Sequence, residues 1–79
     1  MGYSMFSKEE FGQRLKKLRL ERQENQSVLA EVLGVSVAQI SEIENGNKAT
    51  TLEKFALICE HYQVSADYLL GFQPGPREE

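Results

Sequence analysis

Tryptophan is absent, histidine and cysteine occur once each, and both prolines fall within the last six residues. One His and one Cys cannot assemble a metal cluster within a single chain. A lone Cys59 closes no internal disulfide, which suits a reducing cytosol. No apolar run approaches the ~20 residues of a membrane span. Residues 1–7 lack both the basic and the apolar region of a signal peptide, so neither a membrane nor an exported protein is expected. No nucleophile–base–orienter set is assembled and no Gly-rich phosphate loop is present; an enzyme is not expected, nor a cofactor or small-molecule ligand. Strand alternation, internal repeats and low-complexity blocks are also missing. So is a basic excess: 9 Lys and Arg face 12 Asp and Glu, a net charge of −3. That balance is awkward for any nucleic-acid partner, which usually calls for a positive surface.

What is there reads as helix. The 79 residues make one domain near the low end of what folds alone, and the fold class is all-α, with five helices. Helix 1 starts at Ser7, where Ser7-Lys8-Glu9-Glu10 forms a capping box and Phe6 and Phe11 a hydrophobic staple. It is expected to run to about Glu24, with Phe11, Leu15 and Leu18 on one stripe that Arg22 continues. Helix 2, Gln26–Leu33, is capped by Asn25, carries Val28, Leu29, Val32 and Leu33, and stops at Gly34, which can take a left-handed backbone. Ser36 caps helix 3 with Gln39 completing a second box. Helix 3 buries Ile40 and Ile43 and runs out at Asn45-Gly46. Thr51 caps helix 4, about residues 52–61, and Glu53 complements its dipole. Ser65 caps a short helix 5, residues 66–70, ended by Gly71. Residues 1–6 form an N-terminal arm, 7–72 the folded domain, and 73–79 (QPGPREE) a tail expected to be disordered. Helices 2 and 3, joined by a tight Gly-containing turn, form a helix-turn-helix, whose second helix can enter a DNA major groove.

Residues 11–71 resemble the phage repressor and Cro-like helix-turn-helix family, also called the XRE family. FGQRLKKLR (11–19), LAEVLGVS (29–36), ISEIENG (40–46), TLEKF (51–55) and VSADYLLG (64–71) occur in the family's order and spacing over about three quarters of the chain. The resemblance implies a compact five-helix, lambda-repressor-like domain and a transcriptional regulator that binds double-stranded operator DNA as a dimer.

On helix 3, the arc opposite Ile40 and Ile43 carries Val37, Ala38, Ser41, Glu42 and Asn45. By resemblance, the base-reading candidates are Val37, Ala38, Ser41 and Glu42. Family members often place Arg, Gln, Ser or Lys at the first, second and fourth of these positions, and this chain departs from that pattern. Val37 and Ala38 suit a thymine methyl group, and Glu42 can accept from cytosine N4. Glu42 also has a plain reading as a solvated helix surface, and a third as a sign against DNA binding, since a carboxylate near phosphates is repelled unless a cation or cytosine answers it. The phosphate-contact candidates are Gln26, Ser36, Gln39, Asn45 and Lys48, beside the anion-attracting start of helix 2. Gln26 also has a plain reading as an N-terminal helix residue. The resemblance further implies a structural salt bridge between Arg19 and Glu44, whose loss on one side would strand the other charge.

Cys59 occupies a position where the family has a small core residue, so packing rather than reactivity is expected. His61 is expected to face the end of the helix 4 dipole. Tyr62, Tyr68, Leu69, Leu70 and Phe72 exceed what one short helix buries and are the dimer-interface candidates; the alternative is that Tyr62, Leu69 and Phe72 simply close the core. Leu20 and Leu57 lie off the main stripes. The resulting expectation is a cytoplasmic, sequence-specific regulator, a repressor acting as a homodimer on a pseudo-palindromic operator. The alternative is a protein-interaction module on the same fold, an antitoxin or an antagonist of another regulator, with weak or no DNA binding.

Overall fold

In a computed structural model, which describes residues 6–72, every helix begins on a side-chain cap. The oxygens of Ser7, Asn25, Ser36, Thr51 and Ser65 each accept a backbone N–H three residues on, at 3.1–3.2 Å. They open α1 (Lys8–Glu21), α2 (Gln26–Leu33), α3 (Val37–Glu44), α4 (Leu52–Tyr62) and α5 (Ala66–Leu70). Such a bond satisfies one of the N–H groups that a helix start leaves without a partner. At Ser36 the reciprocal half of the box also forms, with Gln39 Oε1 accepting the Ser36 N–H at 3.0 Å. At Ser7 the Glu10 carboxylate instead turns to Arg14, 3.5 Å away. Phe6 and Phe11 pack with ring centroids 6.0 Å apart, and Phe55 extends the row at 5.9 Å from Phe11.

The ends are as uniform as the starts. Each helix is followed by one left-handed residue, in order Gln23, Gly34, Gly46, Gln63 and Gly71. The next N–H then folds back onto a carbonyl of the last turn: Glu24 to Arg19, Val35 to Ala30, Asn47 to Glu42, Val64 to Cys59 and Phe72 to Asp67, at 2.9–3.1 Å. This is the Schellman arrangement, which satisfies the trailing carbonyls. It corrects the expectation that helix 1 reaches Glu24. The helix stops at Glu21, because Gln23 adopts φ 59° and reverses the chain. Arg22 therefore leaves the apolar stripe and donates to the Tyr62 carbonyl at the end of α4, at 3.1 Å.

α3 lies between α1 and α2, α4 rests on α2 and α5, and α5 returns to α1. Phe11, Leu15, Leu29, Ile40, Ile58 and Leu69 form the inner core. α1 passes so close to the end of α3 that a Cβ at Gly12 would sit 2.6 Å from the Glu44 carbonyl oxygen. Only glycine allows that approach. Tyr62 and Leu69, expected at a dimer surface, are 3% and 0% exposed and belong to the chain's own core. A five-residue α5 has room to bury one side, and Leu69 faces inward on it. Tyr68 and Leu70 are half-buried, and Phe72 is exposed. Leu20 and Leu57 face solvent. The proposed tail, and all of the proposed arm except Phe6, lie outside the described residues. Among the described residues, no helix is long and apolar enough to cross a membrane.

Candidate nucleic-acid interface

α3 is eight residues long and buries one flank, Ile40 at 0% and Ile43 at 5% exposure. The opposite flank is open at Val37 and Ala38, while Ser41 and Glu42 are half-exposed. The capping box fixes the N-terminal end of this helix, and the Schellman turn through Gly46 fixes the other. A rigid, outward helix face of this kind has the shape required to enter a major groove.

The frame behind it is ionic. Arg19 Nε and Nη2 donate to the two carboxylate oxygens of Glu44 at 2.6 and 3.0 Å, a bidentate pair. The side chains are only 7% and 1% exposed. Arg19 Nη1 donates to the Glu24 carbonyl at 2.7 Å, so the guanidinium ties α1, the α1–α2 turn and α3 together. The hydrogen bond to Glu44 raises the Arg19 pKa further, against the opposing effect of burial. Glu44 Oε1 also accepts from Gln26 Nε2 at 3.1 Å, and Gln26 Oε1 accepts from Ser41 Oγ at 3.2 Å. A carboxylate can only accept, which orients the Gln26 amide and turns its oxygen to Ser41.

The sequence candidates thus divide. Val37 and Ala38 are exposed on the outer flank and Glu42 half-exposed, with Asn45 exposed at its end. Ser41 and Gln26 are engaged with each other, and Ser36 and Gln39 with the capping box. Lys48 Nζ lies 3.4 Å from Glu42 Oε1, so Glu42 has a cation beside it. Lys54 and Thr50 were given no site role in the sequence and Thr51 only that of a helix cap, yet with Lys48 and Gln39 they line a cleft of about 230 Å³ at the edge of α3. Lys54 carries a second positive charge there; it sits within the TLEKF stretch, but nothing local marks it for this site, because it reaches the edge only when α4 folds back.

A second polar cluster lies behind the first. Glu24 accepts from the Tyr62 hydroxyl and pairs with His61 Nε2, both at 2.8 Å. His61 therefore faces a carboxylate rather than the helix end alone. Burial, followed by the bond to Glu24, pushes the Tyr62 pKa far above the usual phenol range. The Arg22 guanidinium lies over the Tyr62 ring, 5.5 Å from its centroid. Cys59 is partly buried against the core, and burial raises its thiol pKa.

Phe6, Phe11, Leu52, Phe55 and Leu70 line an apolar groove of about 270 Å³, which shares Ala49 and Thr50 with the cleft at the edge of α3. Leu52, at the first position of α4, is 80% exposed, and Phe72 is 44% exposed.

A helix-turn-helix family model matches residues 15–69. An HTH-type transcriptional regulator of Bacillus subtilis strain 168, YobD, is 33% identical over 69 residues, covering 85% of this chain and 62% of its own length. A second from the same organism, RghRB, is 36% identical over 76 residues, covering 86% and 55%. The chain therefore spans little more than half of these relatives. Among solved structures, the P22 c2 repressor in complex with a synthetic operator superposes with a TM-score of 0.74 at 28% identity, over 80% of this chain and 96% of that one. The clp gene regulator ClgR from C. glutamicum gives 0.72 at 27% identity, over 89% and 87%. The restriction-modification controller C.AhdI from Aeromonas hydrophila gives 0.70 at 24% identity, over 78% and 94%, a likeness of fold. With its capped, outward-facing third helix held by a buried Arg–Glu pair, the chain belongs to the XRE-type helix-turn-helix family of transcriptional regulators.

Proposed function

We propose that residues 7–72 form the DNA-binding unit of a cytoplasmic repressor that occupies a pseudo-palindromic operator as a homodimer. The observation that carries this reading is the outer flank of α3. Val37, Ala38 and Glu42 are accessible there, while the helix is locked from behind through Ile40, Ile43 and Glu44. Val37 and Ala38 meet thymine methyl groups, and Glu42 meets an exocyclic amine. Asn45 and Lys54 meet phosphates on one side of the groove and the start of α2 on the other; these contacts position the helix without reading sequence. Gln26 and Ser41 serve mainly to orient one another.

The apolar groove supports pairing of two copies. Leu52, Leu70 and Phe72, rather than Tyr62 and Leu69, are the side chains open to a second chain. A twofold dimer sets its two recognition helices about 34 Å apart, one turn of DNA. The crystallised P22 c2 repressor in complex with a synthetic operator is a precedent for this fold on DNA.

Fluorescence anisotropy with a library of genomic duplexes, at two salt concentrations, tests the reading. Specific binding whose affinity falls steeply with salt, as release of counterions requires, is the expected result. Flat titrations at low salt overturn it. They would favour a protein-interaction module, the reading to which the net charge of −3 points.

A further inference from the structure

The loop after α3 does more than lead away from it. The N–H groups of Asn47 and Lys48 both fold back to the Glu42 carbonyl, at 2.9 and 3.3 Å. This backbone anchoring holds Lys48 over the residue it pairs with, and its Nζ lies 3.4 Å from Glu42 Oε1. Both side chains remain open to solvent, 65% exposed for Lys48 and 44% for Glu42. The result is a solvent-exposed ion pair at the edge of the groove-facing flank, with one carboxylate oxygen, Oε2, left over.

We propose that Glu42 and Lys48 read one base pair jointly, and that the pair they select is C·G; this deepens, and rests on, the DNA-binding function proposed above. A carboxylate only accepts and an ammonium group only donates. In the major groove, cytosine offers the N4 amine as donor, and its guanine partner offers O6 and N7 as acceptors. The Glu42–Lys48 pair presents an acceptor beside a donor, the complement of that edge. Glu42 Oε2 takes the cytosine N4–H while Lys48 Nζ, still against Oε1, reaches guanine O6 or N7. An A·T pair sets its single donor between two acceptors and adds a thymine methyl group, against which a charged pair loses hydration without return. Lys48 also removes the repulsion that would keep a bare carboxylate out of a phosphate-walled groove.

Selection from a randomised duplex library, with the full chain as wild type, Glu42→Gln, Lys48→Met and the double variant, tests the assignment. Melting curves confirm that these surface changes leave the fold intact. Wild type should favour C·G by about tenfold at one position of each half-site. Glu42→Gln should move that position towards A·T, since a glutamine amide matches adenine N6 and N7. Lys48→Met should relax the same position, and the double variant should lose little beyond Glu42→Gln alone. A uniform, additive loss with Lys48→Met across all sequences would make Lys48 a phosphate contact only and overturn the joint reading. An unchanged preference with Glu42→Gln would overturn it as well. A wild type that enriches no sequence would overturn the DNA-binding function itself, and the joint reading with it.

Discussion

Replacing Arg19 with methionine removes one side of a buried ion pair while keeping a side chain of similar length. Glu44, 1% exposed, then loses its bonds from Nε and Nη2 and keeps only the one from Gln26. The Glu24 carbonyl loses its partner too. A buried charge stranded in this way costs about 3–5 kcal/mol. At roughly 0.05–0.15 kcal/mol per residue, a chain of this length holds only about 4–12 kcal/mol in all. Its unfolding entropy, about 2.1 cal/mol/K per residue, converts that loss into a fall in Tm of about 18–30 °C. Circular dichroism at 222 nm, by heating and by urea, measures both quantities. Removing the other charge as well, in Arg19→Met/Glu44→Leu, should recover most of the stability, since apolar replacement of a whole buried pair is often neutral or better. A loss below about 1 kcal/mol for Arg19→Met would rank the bridge with surface pairs and refute the reasoning. So would a double variant no better than the single, which would trace the damage to packing rather than charge.

Two glycines should both lose stability on change to alanine, for different reasons. At Gly12 the new methyl meets the Glu44 carbonyl, and a loss of about 1–3 kcal/mol in urea unfolding is expected despite the better helix propensity. At Gly34 nothing lies within 4 Å, so only the left-handed backbone, φ 70°, opposes the change, at about 1–2 kcal/mol. The raised Tyr62 pKa means that above pH 10 the unfolded chain ionises this phenol while the folded one does not. Stability is therefore complete below pH 10 and falls above it by about 1.4 kcal/mol per pH unit relative to Tyr62→Phe; parallel slopes for the two proteins would contradict that. On the proposed pairing of two copies, Leu52→Glu should shift the protein from dimer to monomer in light scattering with its helical circular-dichroism spectrum unchanged, because Leu52 is 80% exposed and contributes almost nothing to its own core.

The helix starts were legible because each is written in one residue: Ser7, Asn25, Ser36, Thr51 and Ser65 cap where their oxygen chemistry says they should. Three ends were legible for the same reason, through Gly34, Gly46 and Gly71. The end of α1 was not, because Gln23 carries no preference for the left-handed backbone it adopts; Gln63 adopts it too after α4, whose end was placed one residue short, at about 61. At Gln23 distant partners favour it: the turn lets Arg19 reach the Glu24 carbonyl and lets Glu24 reach His61 and Tyr62, 37 and 38 residues away. Bonds across that separation leave no local pattern. The outward flank of α3 followed from helical geometry once Ile40 and Ile43 were taken as inward. The pairing of Glu42 with Lys48 depended on the path of a loop. In α5 an apolar run of two leucines shows that something is buried, and only the packing of α1 against α5 decides that Leu69 is in and Leu70 half out.

The line of bonds from Glu24 through Arg19, Glu44 and Gln26 ends on the hydroxyl of Ser41. It follows that the positions along the recognition helix are not equally open to redesign. On the proposed DNA-binding reading, anyone retargeting this scaffold has Val37 and Ala38 as free letters, while Glu42 brings Lys48 with it. Ser41 is the end of a strut, and changing it disturbs the brace that keeps the other three aimed.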